Sequence, residues 1–192
     1  MIHNKYFEVM KEFLKGYNKE IYGRELVGKV SISQKNIALT LMDLEELGIL
    51  VSKLKGNMRY YSLNRKNLLI EKYLLLLETE KCVEFLEKHQ KIKVVLEDLD
   101  FSGIVCVFGS YAKGLEKKDS DLDLFVVGSF DEEMIKKAEK TFGIEINIHS
   151  GKMKDFVNSL KGRDLFVNEI LENHVLLKGF ESFIQEVLKQ KW

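Results

Sequence analysis

The chain has 192 residues, 30 basic and 30 acidic, with 45% apolar residues and no proline, a length that holds one large domain or two small ones. A charged fraction of 31% beside that apolar fraction excludes the composition of disordered chains. The longest wholly apolar stretches, Tyr73–Leu77 and Ile104–Phe108, are five residues each, far short of the roughly 20 that a membrane helix needs. Met1–Lys5 lead straight into a charged amphipathic pattern, so no secretory signal is expected, and a cytoplasmic protein without membrane contact is. Cys82 and Cys106 fit that setting, Cys106 as a small buried hydrophobe within an apolar run.

The balanced charge hides an asymmetry. Residues 1–66 carry 12 basic and 7 acidic side chains and residues 67–192 carry 18 and 23, so the first third is +5 and the rest −5. A basic small module beside an acidic larger one suggests different partners, a polyanion for the first.

In chain order, Tyr6, Phe7, Val9, Met10, Phe13 and Leu14 recur at helical spacing and stop at Gly16. A short helical stretch is expected over Gly23–Val30, and Ser31 or Ser33 then caps a longer helix whose apolar face is Ile37, Ala38, Leu41, Met42, Leu44 and Leu47. Gly48 stands where a left-handed residue ends that helix. Ile49–Leu54 and Met58–Leu63 flank Lys55-Gly56-Asn57 as a hairpin with a basic tip.

This order, and the run SQKNIALTLMDLEELGILV from Ser33 to Val51 in particular, resembles winged-helix DNA-binding domains over about Lys5–Leu63. The resemblance implies duplex DNA as a partner. Gln34, Lys35, Asn36 and Thr40 would face outward toward a major groove, and Lys53, Lys55 and Arg59 on the wing would contact phosphates. The same fold also serves as a protein-docking module.

From Arg65 to about Leu99 there is no glycine, and apolar residues hold helical spacing with breaks expected near Thr79 and His89. This is read as a helical connector over residues 67–99. A stripe that long needs a cover, and a second copy of the chain is the expected one.

Ile104–Phe108 reads as a buried strand that runs into Gly109-Ser110-Tyr111-Ala112-Lys113-Gly114. Ten residues, Tyr111–Ser120, separate Gly109-Ser110 from Asp121-Leu122-Asp123-Leu124-Phe125-Val126-Val127. Asp121 and Asp123, at i and i+2 of a strand, project from one face while Leu122 and Leu124 face the core. Paired carboxylates at the rigid start of a strand usually await a cation. A helix over Asp131–Phe142, stopped by Gly143, precedes an apolar strand, Ile144–His149, that carries Glu145 and Asn147 on one face. His3, His89 and His174 lie at unrelated positions and make no metal-binding set. After Ser150 the pattern is read as helical to the end.

The 21 residues from Val107 to Val127 resemble the signature of the DNA polymerase β-like nucleotidyltransferases, above all the minimal forms of bacteria and archaea. The resemblance implies transfer of a nucleoside monophosphate, AMP from ATP, to a hydroxyl acceptor with release of pyrophosphate. Gly109 and Ser110 would hold the terminal phosphates, the latter aided by its helix start, and Lys113 would neutralise the leaving pyrophosphate. Asp121, Asp123 and Glu145 would be the catalytic carboxylates and hold two Mg²⁺ ions. Relatives modify small molecules, RNA ends or protein side chains, so a protein or RNA acceptor is expected without being specified. The competing expectation is a DNA-binding regulator whose transferase domain only senses nucleotide.

The expected architecture is therefore α+β: a winged helix-turn-helix domain over residues 1–66, the connector, and a small mixed β-sheet nucleotidyltransferase domain flanked by helices over residues 100–192.

Overall fold

The computed structural model describes residues 4–190; His3 and the rest of the expected first domain's start lie outside them. The described chain divides into two units with the boundary between Leu77 and Glu78, inside the stretch read as a connector.

The first unit opens with α1 (Asn4–Lys11), which tightens into a 3₁₀ turn over Glu12–Leu14. The stretch expected to be helical over Gly23–Val30 instead forms a single 3₁₀ turn, Gly23–Leu26. A two-residue strand, β1 (Ile21–Tyr22), precedes it. The longer helix is α2 (Gln34–Glu46), capped by Ser33, whose side chain accepts from the Asn36 N–H at 3.3 Å. Strands β2 (Leu50–Lys55) and β3 (Met58–Leu63) follow, and Lys55 pairs with Met58, so Gly56 and Asn57 form a two-residue turn. The sheet order is β1-β3-β2, antiparallel throughout. Val9, Phe13, Leu14, Leu26, Ile37, Leu41 and Leu44 are buried in this unit.

Helix α3 (Ile70–Lys88) runs unbroken through Thr79, where a break was expected, and gives way at His89 to α4 (Gln90–Glu97). Thr79 lies within a run that keeps its apolar spacing on both sides, so one β-branched residue does not interrupt the helix.

The second unit holds β4 (Ile104–Val107), α5 (Gly109–Lys113), β5 (Leu122–Val127), α6 (Glu132–Phe142) and β6 (Ile146–Gly151). It closes with α7 (Met153–Gly162), α8 (Leu165–Glu172), β7 (Val175–Lys178) and α9 (Phe180–Leu188). The sheet order is β6-β5-β4-β7, with β5 and β6 parallel and the other pairs antiparallel. The parallel pair requires a crossover, which α6 supplies; Asp131 caps its start and Gly143 ends it in the left-handed conformation. One sheet face, with Val105, Val107, Leu122, Leu124 and Val126, packs against Phe85, Ile92, Val95, Ile135 and Ala138. On the other face Phe125 meets Phe156 and Phe166.

β7 corrects the reading of the carboxyl-terminal stretch as wholly helical. Val175 and Leu176 are both buried, and three consecutive apolar residues, Val175–Leu177, do not distinguish a strand from a helix turn. Cys82 and Cys106 are free and buried, and burial pushes the Cys106 thiol pKa far up. Among the described residues no helix is long and apolar enough to cross a membrane.

Candidate active site

Every residue of β4 is buried, so the chain must turn sharply to leave the sheet at its end. Gly109 makes that turn with φ at +67°, and a Cβ built there would lie 2.1 Å from Asp123 Oδ2. Glycine is thus required twice over, for the left-handed backbone and for the carboxylate pressed against it. The Phe108 N–H donates to the Asp123 carbonyl at 3.0 Å, tying the turn to β5. Ser110 follows on α5, a helix of five residues. So short a helix sums few peptide dipoles, and what Ser110 presents is its own hydroxyl and N–H.

Leu122 and Leu124 are fully buried, and strand alternation turns the flanking carboxylates to the opposite face. Asp121 is exposed and Asp123 half-buried. The parallel register places Asn147 beside Asp123. The Asn147 amide donates to Asp121 Oδ2 at 3.5 Å and to Asp123 Oδ1 at 3.4 Å, long hydrogen bonds that span the pair.

Glu145 does not join them. It lies before β6, exposed, and its carbonyl accepts from the Leu122 N–H at 2.8 Å. Among the described residues no three His, Cys, Asp or Glu side chains come together in a way that could hold a metal ion. The expected trio of Asp121, Asp123 and Glu145 is therefore not assembled. The strand starts later than expected, and its register gives the place beside Asp123 to an amide.

Lys113 is also engaged: its Nζ lies 2.6 Å from Glu169 Oε1 of α8. The same helix brings Phe166 against Phe108 and Phe125, with ring centroids 5.4 and 5.9 Å apart. Sequence reasoning missed Phe166 and Glu169 because α8 approaches from a segment with no chemical motif of its own.

In the first unit Gln34, Lys35 and Asn36 are exposed, as expected for a helix start that meets a ligand. Thr40 is not: it is fully buried. Ile37, Thr40, Leu41 and Leu44 form an i, i+3, i+4, i+7 stripe that faces the core, while Met42, read as part of the apolar face, is 54% exposed. On the β2–β3 hairpin, Lys53 and Lys55 both pair with Glu20, and Arg59 Nη1 lies 3.4 Å from Glu45 Oε2. The basic tip thus carries its own counter-charges.

The model of the family described as "Nucleotidyltransferase domain" matches residues 79–177. A protein of Methanocaldococcus jannaschii that carries the provisional name protein adenylyltransferase is 34% identical over 79 residues, which cover 36% of this chain and 74% of that protein. A crystal structure of a toxin-antitoxin with AMP-PNP aligns over 52% of this chain and 80% of its own, at 15% identity and a TM-score of 0.35.

Proposed function

The chain belongs to the polymerase β-like nucleotidyltransferase domain family and is a nucleotide-transferring enzyme; from that premise we propose that it transfers AMP from ATP to a hydroxyl of a protein side chain. The observation that carries this reading is the convergence of Gly109, Asp121, Asp123 and Asn147 on one sheet face. The acceptor class follows the relative of archaeal origin, whose name assigns it protein substrates.

Asp121 and Asp123 supply the all-oxygen donors that Mg²⁺ prefers, and this ion is usually held by one or two carboxylates together with substrate phosphates. The cradle at Gly109, which leaves Asp123 Oδ2 room that a Cβ would take, fits the same use. When bound, Mg²⁺ neutralises the phosphates and polarises the α-phosphorus. Gly109 lets the main chain approach the triphosphate, and Ser110 donates to its terminal oxygens. The acceptor oxygen bonds to the α-phosphorus and gives up its proton to solvent water as the bond to the bridging oxygen breaks, and pyrophosphate leaves past Lys113, once that side chain exchanges Glu169 for phosphate. Asn147 holds the two carboxylates in one orientation. Its amide bears no charge to compete for the cation.

For the first unit the proposal is a winged helix that binds duplex DNA, with Gln34, Lys35 and Asn36 at the groove and Lys53, Lys55 and Arg59 at phosphates. The exposure of the three helix residues supports it. The ion pairs on the wing are exposed, and such pairs are worth about 0–1 kcal/mol, so phosphate can displace them. A homodimer through the exposed Leu69, just before α3, and Leu76 on α3 belongs to the same proposal, and a monomeric mass by light scattering would overturn it.

The reaction is tested by mass spectrometry of proteins incubated with the full chain, ATP and Mg²⁺. A mass increment of one AMP group on a protein supports the reading. Nucleotide addition to RNA or to small molecules alone would move the acceptor class. ATP binding without any transfer would favour a DNA-binding regulator that senses nucleotide.

A further inference from the structure

The parallel pairing of β5 with β6 produces two adjacent rows on the sheet face that carries the aspartates. Asp123 stands beside Asn147 in the first row, and Phe125 beside His149 in the second. The rows are two residues apart along the strands, about 7 Å. The first row is polar and the second aromatic.

His149 is the exposed ring of the second row, and it is packed from two sides. Phe108, the residue before the Gly109 turn, meets it edge-on with centroids 5.4 Å apart. Phe166 of α8 meets it at 5.0 Å with the planes tilted by 39°. Phe108 and Phe166 also touch each other edge-on, and Phe125 lies beneath Phe166. Phe108 and Phe125 are buried and Phe166 half-buried, whereas His149 is exposed. Among the described residues no protein group hydrogen-bonds to the His149 ring. An aromatic ring held in place by its neighbours, with an open side and free ring nitrogens, is a surface on which another flat ring can lie.

We infer that His149, backed by Phe108 and Phe166, is the platform on which the nucleobase of the donor stacks, and that it makes the site prefer purine triphosphates. The inference rests on the proposed placement of the triphosphate at Gly109, Ser110 and the two aspartates. From there the ribose bridges the step between the polar and the aromatic row, and the base reaches His149. A purine presents a larger and more polarisable π-surface than a pyrimidine, so stacking alone favours ATP and GTP over CTP and UTP. Phe166 is a positioning residue here. It holds the His149 ring and does not itself meet the base.

The test is calorimetric titration of the full chain with Mg²⁺-ATP and with Mg²⁺-tripolyphosphate, which has the anionic tail and lacks the nucleoside. The wild-type chain is expected to bind ATP more tightly than tripolyphosphate. In His149→Ala the ratio of the two affinities should fall about tenfold, the effect of losing one stacking partner. His149→Phe should restore the ratio, and Phe166→Leu, which keeps most of the apolar volume, should lower it less than His149→Ala does. An unchanged ratio in His149→Ala would overturn the platform, as would a wild-type chain that binds both ligands equally, although the triphosphate site would then stand. A wild-type chain that binds neither ligand would remove the nucleotide reading and the platform with it.

Discussion

Asn147 and Asp123 face each other across the parallel β5–β6 pair, with the amide nitrogen 3.4 Å from Asp123 Oδ1. The same nitrogen lies 3.5 Å from Asp121 Oδ2, so a neutral donor links two carboxylates that would otherwise repel. Asn147→Asp is expected to bind Mg²⁺ about tenfold more tightly and to fold less stably without it, because a third anion joins the pair. Asn147→Ala should retain the fold and lose turnover. Glu145→Gln, by contrast, should stay within a few-fold of wild type, since Glu145 is exposed and lies before the strand. A loss of about 10² or more in Glu145→Gln, the range for a positioned base, would return the third catalytic carboxylate to that residue.

Gly109→Ala places a methyl group 2.1 Å from Asp123 Oδ2 on a backbone with φ at +67°. The left-handed strain alone costs about 1–3 kcal/mol, and the carboxylate must also move. Urea denaturation should show the loss of stability, and titration with ATP should show no Mg²⁺-dependent binding. A variant with wild-type affinity would mean that Asp123 needs no contact with the turn.

Asp121→Asn keeps the size of the side chain and removes one anion. It should abolish Mg²⁺-dependent ATP binding. Without divalent cation its melting temperature should match or exceed that of the wild type, because the repulsion between Asp121 and Asp123 is gone. Calorimetry that finds the same Mg²⁺-dependent affinity in both proteins would remove the metal role of Asp121.

Glu20 bridges Lys53 and Lys55 of β2; these two lysines, hydrogen-bonded to it, hold its carboxyl below the usual carboxylate range. Glu20→Gln should therefore raise the affinity of the full chain for duplex DNA and steepen its salt dependence by about one unit for each further phosphate that the freed lysines neutralise. Replacing Lys53, Lys55 and Arg59 together by alanine should do the reverse. Filter-binding or anisotropy titrations between low and physiological salt would measure both. Indifference of DNA affinity to either change would point to a protein-docking role for this unit.

His89 packs on Phe85 and against the edge of Tyr111, with centroids 4.6 and 5.4 Å apart. Burial lowers its pKa, and Glu116 offsets this only in part. The unfolded chain thus takes up the proton first as the pH falls. The contribution of His89 to stability is complete above about pH 6.5 and declines as the pH drops through its lowered folded value. Melting temperatures between pH 8 and pH 5 should fall more in the wild type than in His89→Phe, and parallel curves would show that His89 does not govern this range.

The Gly109 turn and the aspartate strand were legible in the sequence because each is a local arrangement. The apolar run Ile104–Phe108 can only leave the sheet through the glycine that follows it. Alternation along one strand sends Leu122 and Leu124 inward, and Asp121 and Asp123 outward, whatever the strand pairs with. The helix ends at Ser33, Asp131 and Gly143 are likewise decided by a few neighbouring backbone groups.

What the tertiary structure decided depends on segments far apart in the chain. The place beside Asp123 went to Asn147 because β6 starts at Ile146 and pairs in a register set by α6 and the core beneath it. No periodicity in either strand contains that offset. Thr40 turned inward because the buried stripe of α2 runs through Ile37, Thr40, Leu41 and Leu44, whereas the face read from the sequence, which took in Ala38 and Met42, left Thr40 outside. Lys113 met Glu169, and His149 met Phe166, because α8 folds back over the sheet. Local spacing sets which way a side chain points, whereas the packing of distant elements sets what it meets.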